Sequence, residues 1–266
     1  MSLFGPSGNR IREALESLEC AYESRRLRAL RNRHVAQRRC FLIGNGPSLR
    51  HQDLSVLRGE IVFVTNRFVL HPQHDQIAPR YYCVSDATFF DILTPELARV
   101  VREKAARMVS FVPYARKRLI AKARLFPRRS VYYVQEASGA GLWDGGTMIL
   151  DPSLRAENGE TVIIDHCLPL AHYMGFSEVF LLGCDTDYGV DRAADYSSAY
   201  FYDVKSHPPA RDAVHHTTLW YDRVTRSYEV ARRMFERDGR RICNATLGGR
   251  LEVFPRVDLR DLGRAL

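Results

Sequence analysis

No apolar run in this 266-residue sequence is long enough to cross a bilayer, and its opening, MSLFGPSGNRIREALE, lacks the continuous apolar segment of a secretory signal. A soluble, cytoplasmic protein is the expectation, with peripheral contact at the inner face of the membrane as a further reading of its basic stretches. The six cysteines (Cys20, Cys40, Cys83, Cys167, Cys184, Cys243) form no CxxC pair and no close His/Cys spacing. That pattern argues against structural zinc and against a disulfide framework. An RNP-type aromatic pattern, a zinc finger and a clear helix-turn-helix are all missing, so the formal charge of +8 does not by itself point to nucleic acid. No internal repeat or low-complexity block is visible.

What is present suits one large α/β domain. At 45% hydrophobic residues the chain can fill a full core. Its basic excess gathers in two places, Arg25 to Arg39 and Arg116 to Arg129. From Ile11 to about Ala36, a span that overlaps the first of these, Ile11, Leu15, Leu18, Ala21, Tyr22, Leu27 and Leu30 recur at helical spacing. Residues 1–38 therefore read as a basic amphipathic helix, packed on its own domain or on a second subunit. Seven short apolar runs follow: CFLIG (40–44), IVFVTN (61–66), RYYCVSD (80–86), RMVSFVPY (107–114), VYYVQEA (131–137), EVFLLGCD (178–185) and RRICNAT (240–246). Helical patterns separate them, best supported at Pro95 to Ala106, Thr161 to Met174 and Trp220 to Arg237. Continuous apolar strands between helices indicate a single Rossmann-like domain over 39–266, with a mostly parallel sheet covered by helices on both faces. Residues 188–218 form a long connection that reads as a lid-like loop.

In such a sheet, ligands gather outside the carboxyl ends of the strands. The first strand runs into GNGPSL, where Gly44 and Gly46 permit positive φ and close backbone approach, and Pro47 with Ser48 suits the first turn of a helix. Free amides at that turn would cradle a phosphate. The turn is not the dinucleotide fingerprint, because position 49 is leucine rather than glycine and Asn66 stands where a ribose-binding acid is expected. It is not a P-loop either, since no Gly-Lys-Ser/Thr follows. Other strands also finish in hydrogen-bonding groups: Asn66, then Ser85 and Asp86, then Asp185, Asp187 and Tyr188, then Asn244 and Thr246.

The stretches FLIGNGPSL, VTNRF, YYCVSD, HYMGFSEVFLLGCDTDYG and DGRRICNATLGGRLEVFPRVDL resemble bacterial proteins with a 6-hydroxymethylpterin diphosphokinase (MptE-like) domain, over roughly Cys40 to Leu259. More distantly the chain is similar to the family 42 sialyltransferases and the Maf flagellin glycosyltransferases. The sialyltransferase resemblance implies a Rossmann-like domain with a mobile lid and a CMP-activated nine-carbon sugar as donor. On that basis Asn45 and Asn66 would contact the nucleotide, and Asp86 would take the place of a further asparagine. Tyr188 with Tyr200 would steady the departing phosphate. Thr161, in the sequence NGET, stands at the start of the family's central helix, where the family's Arg-x-Thr-Ser-Gly pattern is not kept. The catalytic base would be a lid histidine, His216 in preference to His207 or His215.

Three functions follow as expectations. The first is a glycosyltransferase moving a nonulosonic acid or Kdo-like sugar from a CMP donor to a carbohydrate acceptor in surface-glycan synthesis, with no cofactor required. The second is an ATP-dependent 6-hydroxymethylpterin diphosphokinase, which would need Mg²⁺ and for which DTD (185–187) offers carboxylates. The third is a non-catalytic binding protein of a glycan-assembly complex, docked through its arginine-rich helix. A homo-oligomer is suggested only by that helix.

Overall fold

The computed structural model describes residues 6–137, 141–186, 199–207 and 218–262. Seven strands form one sheet: β1 (Arg39–Ile43), β2 (Val62–Thr65), β3 (Tyr81–Cys83), β4 (Val109–Pro113), β5 (Val131–Val134), β6 (Glu178–Leu182) and β7 (Arg241–Asn244). Their spatial order is β5-β4-β3-β2-β1-β6-β7, and every pairing is parallel. This is the α/β architecture that the apolar runs predict, with each of the seven strands overlapping its run.

Successive strand residues divide between two cores because their side chains alternate across the sheet. Cys40, Leu42, Phe63, Tyr81, Cys83 and Phe111 face one layer, together with Ile164, Leu168 and Leu170 and with Val224, Tyr228 and Phe235 of the helix Thr218–Arg237. Phe41, Ile43, Val62, Val64 and Tyr82 face the other, against Leu97 and Val101 of the helix Pro95–Ala105. That second helix starts where its sequence says it should. Pro95 opens it, and the Thr94 hydroxyl accepts a hydrogen bond from the Leu97 amide at 3.2 Å.

The helix expected over Thr161 to Met174 is not regular. It runs as a π-helix over Ile163–Cys167 before an α-helix over Leu168–Tyr173. Pro169 supplies the reason, since it has no amide hydrogen and its ring crowds the carbonyl four residues back, so the ladder is rerouted. The N-terminal helix spans Pro6–Arg28, shorter than the periodicity to Ala36 suggests. It lies against the β5 edge of the sheet: Arg26 places its guanidinium 4.5 Å from the Tyr132 ring centre and donates to the carbonyls of Arg128 and Arg129. Leu27 and Leu30 enter the core, while Leu18 and Tyr22 are exposed. Among the described residues, no helix is long and apolar enough to cross a membrane.

Chain order moves outward from β1 to β5 and then returns to β6 beside β1. The carboxyl ends of β1 and β6 therefore diverge from a switch point, which is where an open parallel sheet leaves a crevice.

Candidate functional site

A cleft opens at that switch point. The glycine turn forms one wall, but it does not work as an anion cradle. Gly44 N–H donates to Leu182 O at 2.8 Å and Gly46 N–H to Gly183 O at 2.9 Å. Ser48 donates its amide to Asp185 Oδ1 at 3.0 Å and its hydroxyl to Asp185 Oδ2 at 2.8 Å. The following helix is a five-residue 3-10 turn, Pro47–His51. Its amino end is thus filled by the chain's own carboxylate. Glycine is needed here for closeness rather than for positive φ: Gly46 has φ −65. A β-carbon on Gly44 would stand 2.5 Å from Gly183 O, and one on Gly46 would overlap Asp185 Oδ2.

The other predicted residues divide into two groups. Gly44, Asn45, Gly46, Asn66, Ser85, Asp86, Thr161, Asp185 and Tyr200 all line the cleft. Ser48, Asn244 and Thr246 do not, because their polar atoms serve the fold. The Asn244 amide donates to Leu251 O at 2.8 Å and accepts from the Thr246 amide at 3.0 Å, and the Thr246 hydroxyl accepts from Cys184 N–H at 3.2 Å. This set pins the chain after β7 to the loop after β6. His207 is described but stands outside the cleft wall. Tyr188, Asp187, His215 and His216 lie outside the described residues.

The tips of β1, β2 and β3 carry the unusual geometry. Asn45 donates its amide to Thr65 O at 3.2 Å and to Thr65 Oγ1 at 2.8 Å, which fixes the side chain and turns its carbonyl away. Asn66 sits at φ 44, held there by a hydrogen bond from the Tyr82 hydroxyl to its carbonyl at 2.7 Å. Neither Asn45 Oδ1 nor Asn66 Oδ1 has a hydrogen-bond partner among the described residues. Buried acceptors left open in this way call for an external donor. Ser85 donates to Asp165 Oδ2 at 3.0 Å, and Asp165 Oδ1 accepts from Gly159 N–H at 2.7 Å, so the π-helix braces the β3 tip. Asp86 caps the next turn through the Thr88 amide at 2.9 Å and hydroxyl at 2.6 Å.

Three non-glycine residues in the cleft wall have positive φ: Asn66 at 44, Glu160 at 71 and Thr186 at 48. Thr186 is β-branched, for which this conformation is a true outlier, and such strain gathers at ligand sites. Glu160 is buried, accepts from Trp220 Nε1 at 3.1 Å, and pairs with Arg223 at 3.5 Å. Cys184 also lines the wall, and burial beside Asp185 pushes its thiol up to about 12, so it stays protonated and is no nucleophile. Ala199, Tyr200 and Tyr202 of the segment 199–207 add a further part of the wall. Phe201 N–H donates to Asn45 O at 3.1 Å, and Arg50 donates to the Tyr200 carbonyl at 2.7 Å.

Sequence reasoning missed Arg67, Phe89, Glu160, Asp165, Thr186 and Trp220. Arg67 follows Asn66 directly in VTNRF and reads there as an ordinary surface cation. Glu160 and Asp165 flank Thr161 but belong to no apolar rhythm. Of these, only the proline at 169 hinted that the helix carrying Asp165 would be distorted.

No protein-family model matches the chain, and no curated protein matches its sequence. Among solved structures, the sialyltransferase CstII from Campylobacter jejuni in complex with the substrate analogue CMP-3FNeuAc aligns at TM-score 0.48 and 14% identity, over 83% of this chain and 86% of that one. A Cst-II variant in complex with CMP gives 0.47 and 14%, over 82% and 84%. Cst-II with a trisaccharide acceptor and CMP gives 0.43 and 16%, over 77% and 80%.

Proposed function

We propose that the chain is a glycosyltransferase that takes a nonulosonic acid or Kdo-like sugar from a CMP-activated donor and passes it to a carbohydrate acceptor in surface-glycan synthesis. The observation that carries this reading is the pair of buried, unpartnered carbonyl acceptors, Asn45 Oδ1 and Asn66 Oδ1, on two residues that line one cleft at the switch point. Two such acceptors, the first fixed through Thr65, would suit the amino group of a cytosine and the hydroxyls of a ribose. The sequence resemblance to family 42 sialyltransferases assigns the same two residues to the nucleotide.

The reaction would break the bond between the sugar's anomeric carbon and a phosphate oxygen while an acceptor hydroxyl attacks that carbon. Positive charge develops on the sugar and negative charge on the leaving phosphate, so donors placed around the phosphate lower the barrier. The acceptor proton goes to a base, for which a lid histidine, His216 before His207 or His215, is the candidate. Tyr200, already in the cleft wall, is a candidate donor to the phosphate, with Tyr188 as its expected companion.

A second reading, the MptE-like diphosphokinase, is favoured by one feature. Glu160 beside Trp220, with Phe89 in the same cleft, offers the acid and the flat slot that a pterin ring would need. The metal that reaction uses would fall to DTD, yet the first aspartate, Asp185, turns both carboxylate oxygens onto Ser48.

Thermal melts with CMP, with ATP plus Mg²⁺ and with hydroxymethyl-pterin separate the two. The transferase reading expects CMP to raise the midpoint most, by several degrees at concentrations about a hundredfold above Kd. A larger shift with ATP and pterin would transfer the assignment to the kinase. No shift with any of them would leave the glycan-assembly binding protein.

A further inference from the structure

The amino end of the 3-10 turn after β1 is closed by Asp185, so an anionic ligand in the cleft must find its countercharge elsewhere. Four charged side chains line the cleft among the described residues: Arg67, Asp86, Glu160 and Asp185. The three carboxylates each accept from their own chain, Asp86 from Thr88, Glu160 from Trp220 and Asp185 from Ser48. Arg67 is the single cation in this set.

Its setting differs from that of an ordinary arginine. It is 3% exposed, whereas arginine is rarely so deeply buried. The left-handed Asn66 immediately before it bends the chain as β2 ends, and Arg67 falls in the first turn of the 3-10 helix Asn66–Leu70, on the inner side. Its guanidinium carbon lies 5.3 Å from the Phe89 ring centre and 5.6 Å from that of Tyr202. Two aromatic faces confine the planar group, so little rotamer freedom remains to be lost on binding. Tyr202 is hydrogen-bonded to Arg67, and burial raises its phenol well above the usual range, keeping the hydroxyl neutral and able to donate.

We propose that Arg67 is the oxyanion anchor of the cleft, pairing its guanidinium fork with two oxygens of the ligand. This deepens the nucleotide-sugar reading and rests on it for the ligand's identity. Such a ligand has two sources of that chemistry, the leaving phosphate and a carboxylate on the sugar. A forked donor matches either bidentately, which a lysine in the same place would not. The expected specificity is for a nucleotide sugar over its uncharged nucleoside, set at the tip of β2 and not at the glycine turn.

The test is calorimetric titration of the full chain and of Arg67→Gln and Arg67→Lys with cytidine, CMP, a CMP-linked sugar acid, and inorganic phosphate. The expected result is that Arg67→Gln keeps its affinity for cytidine and loses at least tenfold for CMP, with Arg67→Lys between. That outcome makes phosphate the partner. If CMP binding is unchanged and only the added affinity of the sugar acid disappears, the partner is the carboxylate, and the anchor stands. Equal weakening of cytidine and CMP, or no change for any ligand, overturns it. Should Arg67→Gln fail to fold, Arg67→Met, whose unbranched chain fits between Phe89 and Tyr202, takes its place with the same criteria. Should the wild type bind no cytidine compound, the donor assignment fails by itself. Inorganic phosphate then decides the anchor, which holds if phosphate raises the melting midpoint of the wild type but not of the Arg67 variant, and falls if the two respond alike.

Discussion

The glycine turn after β1 and the tip of β2 lie in the same cleft and share a hydrogen bond through Asn45 and Thr65, yet they are built on opposite principles. At the turn the backbone and Ser48 are satisfied from within, Gly44 and Gly46 by the end of β6 and Ser48 by Asp185, and the Asn45 side-chain carbonyl is the exception. At the tip, Asn66 is in a left-handed conformation, its side-chain carbonyl is open, and a buried arginine follows. A saturated region contributes to stability, whereas a buried acceptor left without a partner costs free energy that a ligand's donor would recover. The glycines mark the joint between β1 and β6, and apart from Asn45 the candidate binding groups sit one strand away.

The sharpest way to break this comparison is Gly46→Ala. The new methyl would overlap the Asp185 carboxylate and force apart the contact between β1 and β6. A loss of about 3–5 kcal/mol is expected, on the scale of the severe core changes, read as a fall in the denaturation midpoint. A mutant as stable as the wild type would show that the turn is loose after all. Asp185→Ala should cost less, about 2–3 kcal/mol, because it leaves the Ser48 amide and hydroxyl buried without their acceptor. Nucleotide affinity measured on the folded fraction should stay near wild type. A large loss of affinity with little loss of stability would return the turn to the binding machinery.

Acid should act on the other side of the cleft. His166 lies in the π-helix that holds Asp165 against Ser85, and full burial lowers its pKa to about 3 from an ordinary 6.5. The folded state keeps this ring neutral while the unfolded chain protonates it. Stability tied to His166 is therefore complete above pH 6.5 and is lost as pH falls from 6.5 toward 3. Urea midpoints measured at pH 7.5 and pH 5 should differ, and His166→Leu should shrink that difference. An unchanged difference would place the acid sensitivity elsewhere, with the half-buried His172, lowered to about 4, as the next candidate.

How much of this was legible in advance follows from what kind of signal each part leaves. All seven strands were readable because a strand covered on both faces writes a continuous apolar run, as in Cys40 to Ile43. The cleft's position was readable too, since polar residues closing several parallel strands share one edge of the sheet. What each residue does there was not. Asn45 and Asn244 look alike as asparagines at strand ends, but one leaves a buried carbonyl without a partner beside the cleft and the other ties down Leu251. Nothing in a one-dimensional pattern distinguishes them, because the difference lies in which distant backbone passes within 3 Å. Arg67 was hidden for a related reason: its burial depends on Phe89 and Tyr202, far away in sequence.

The smallest effect on stability, and the finest test of the contrast, is expected from Asn66→Gly. Glycine adopts φ 44 without strain, so the backbone turn that positions Arg67 is kept while the open carbonyl is removed. Two small terms then oppose each other in the free protein. Removing a buried acceptor that lacks a partner is favourable, and giving the unfolded chain a glycine is unfavourable, each about 1 kcal/mol. The melting midpoint should therefore hardly move. Nucleotide affinity should fall about five- to tenfold, the equivalent of one hydrogen bond of about 1–1.4 kcal/mol. The reverse outcome, a clear loss of stability with unchanged affinity, would mean that the Asn66 side chain supports the fold in the same way as Ser48. The distinction between a saturated turn and an open strand tip would then disappear.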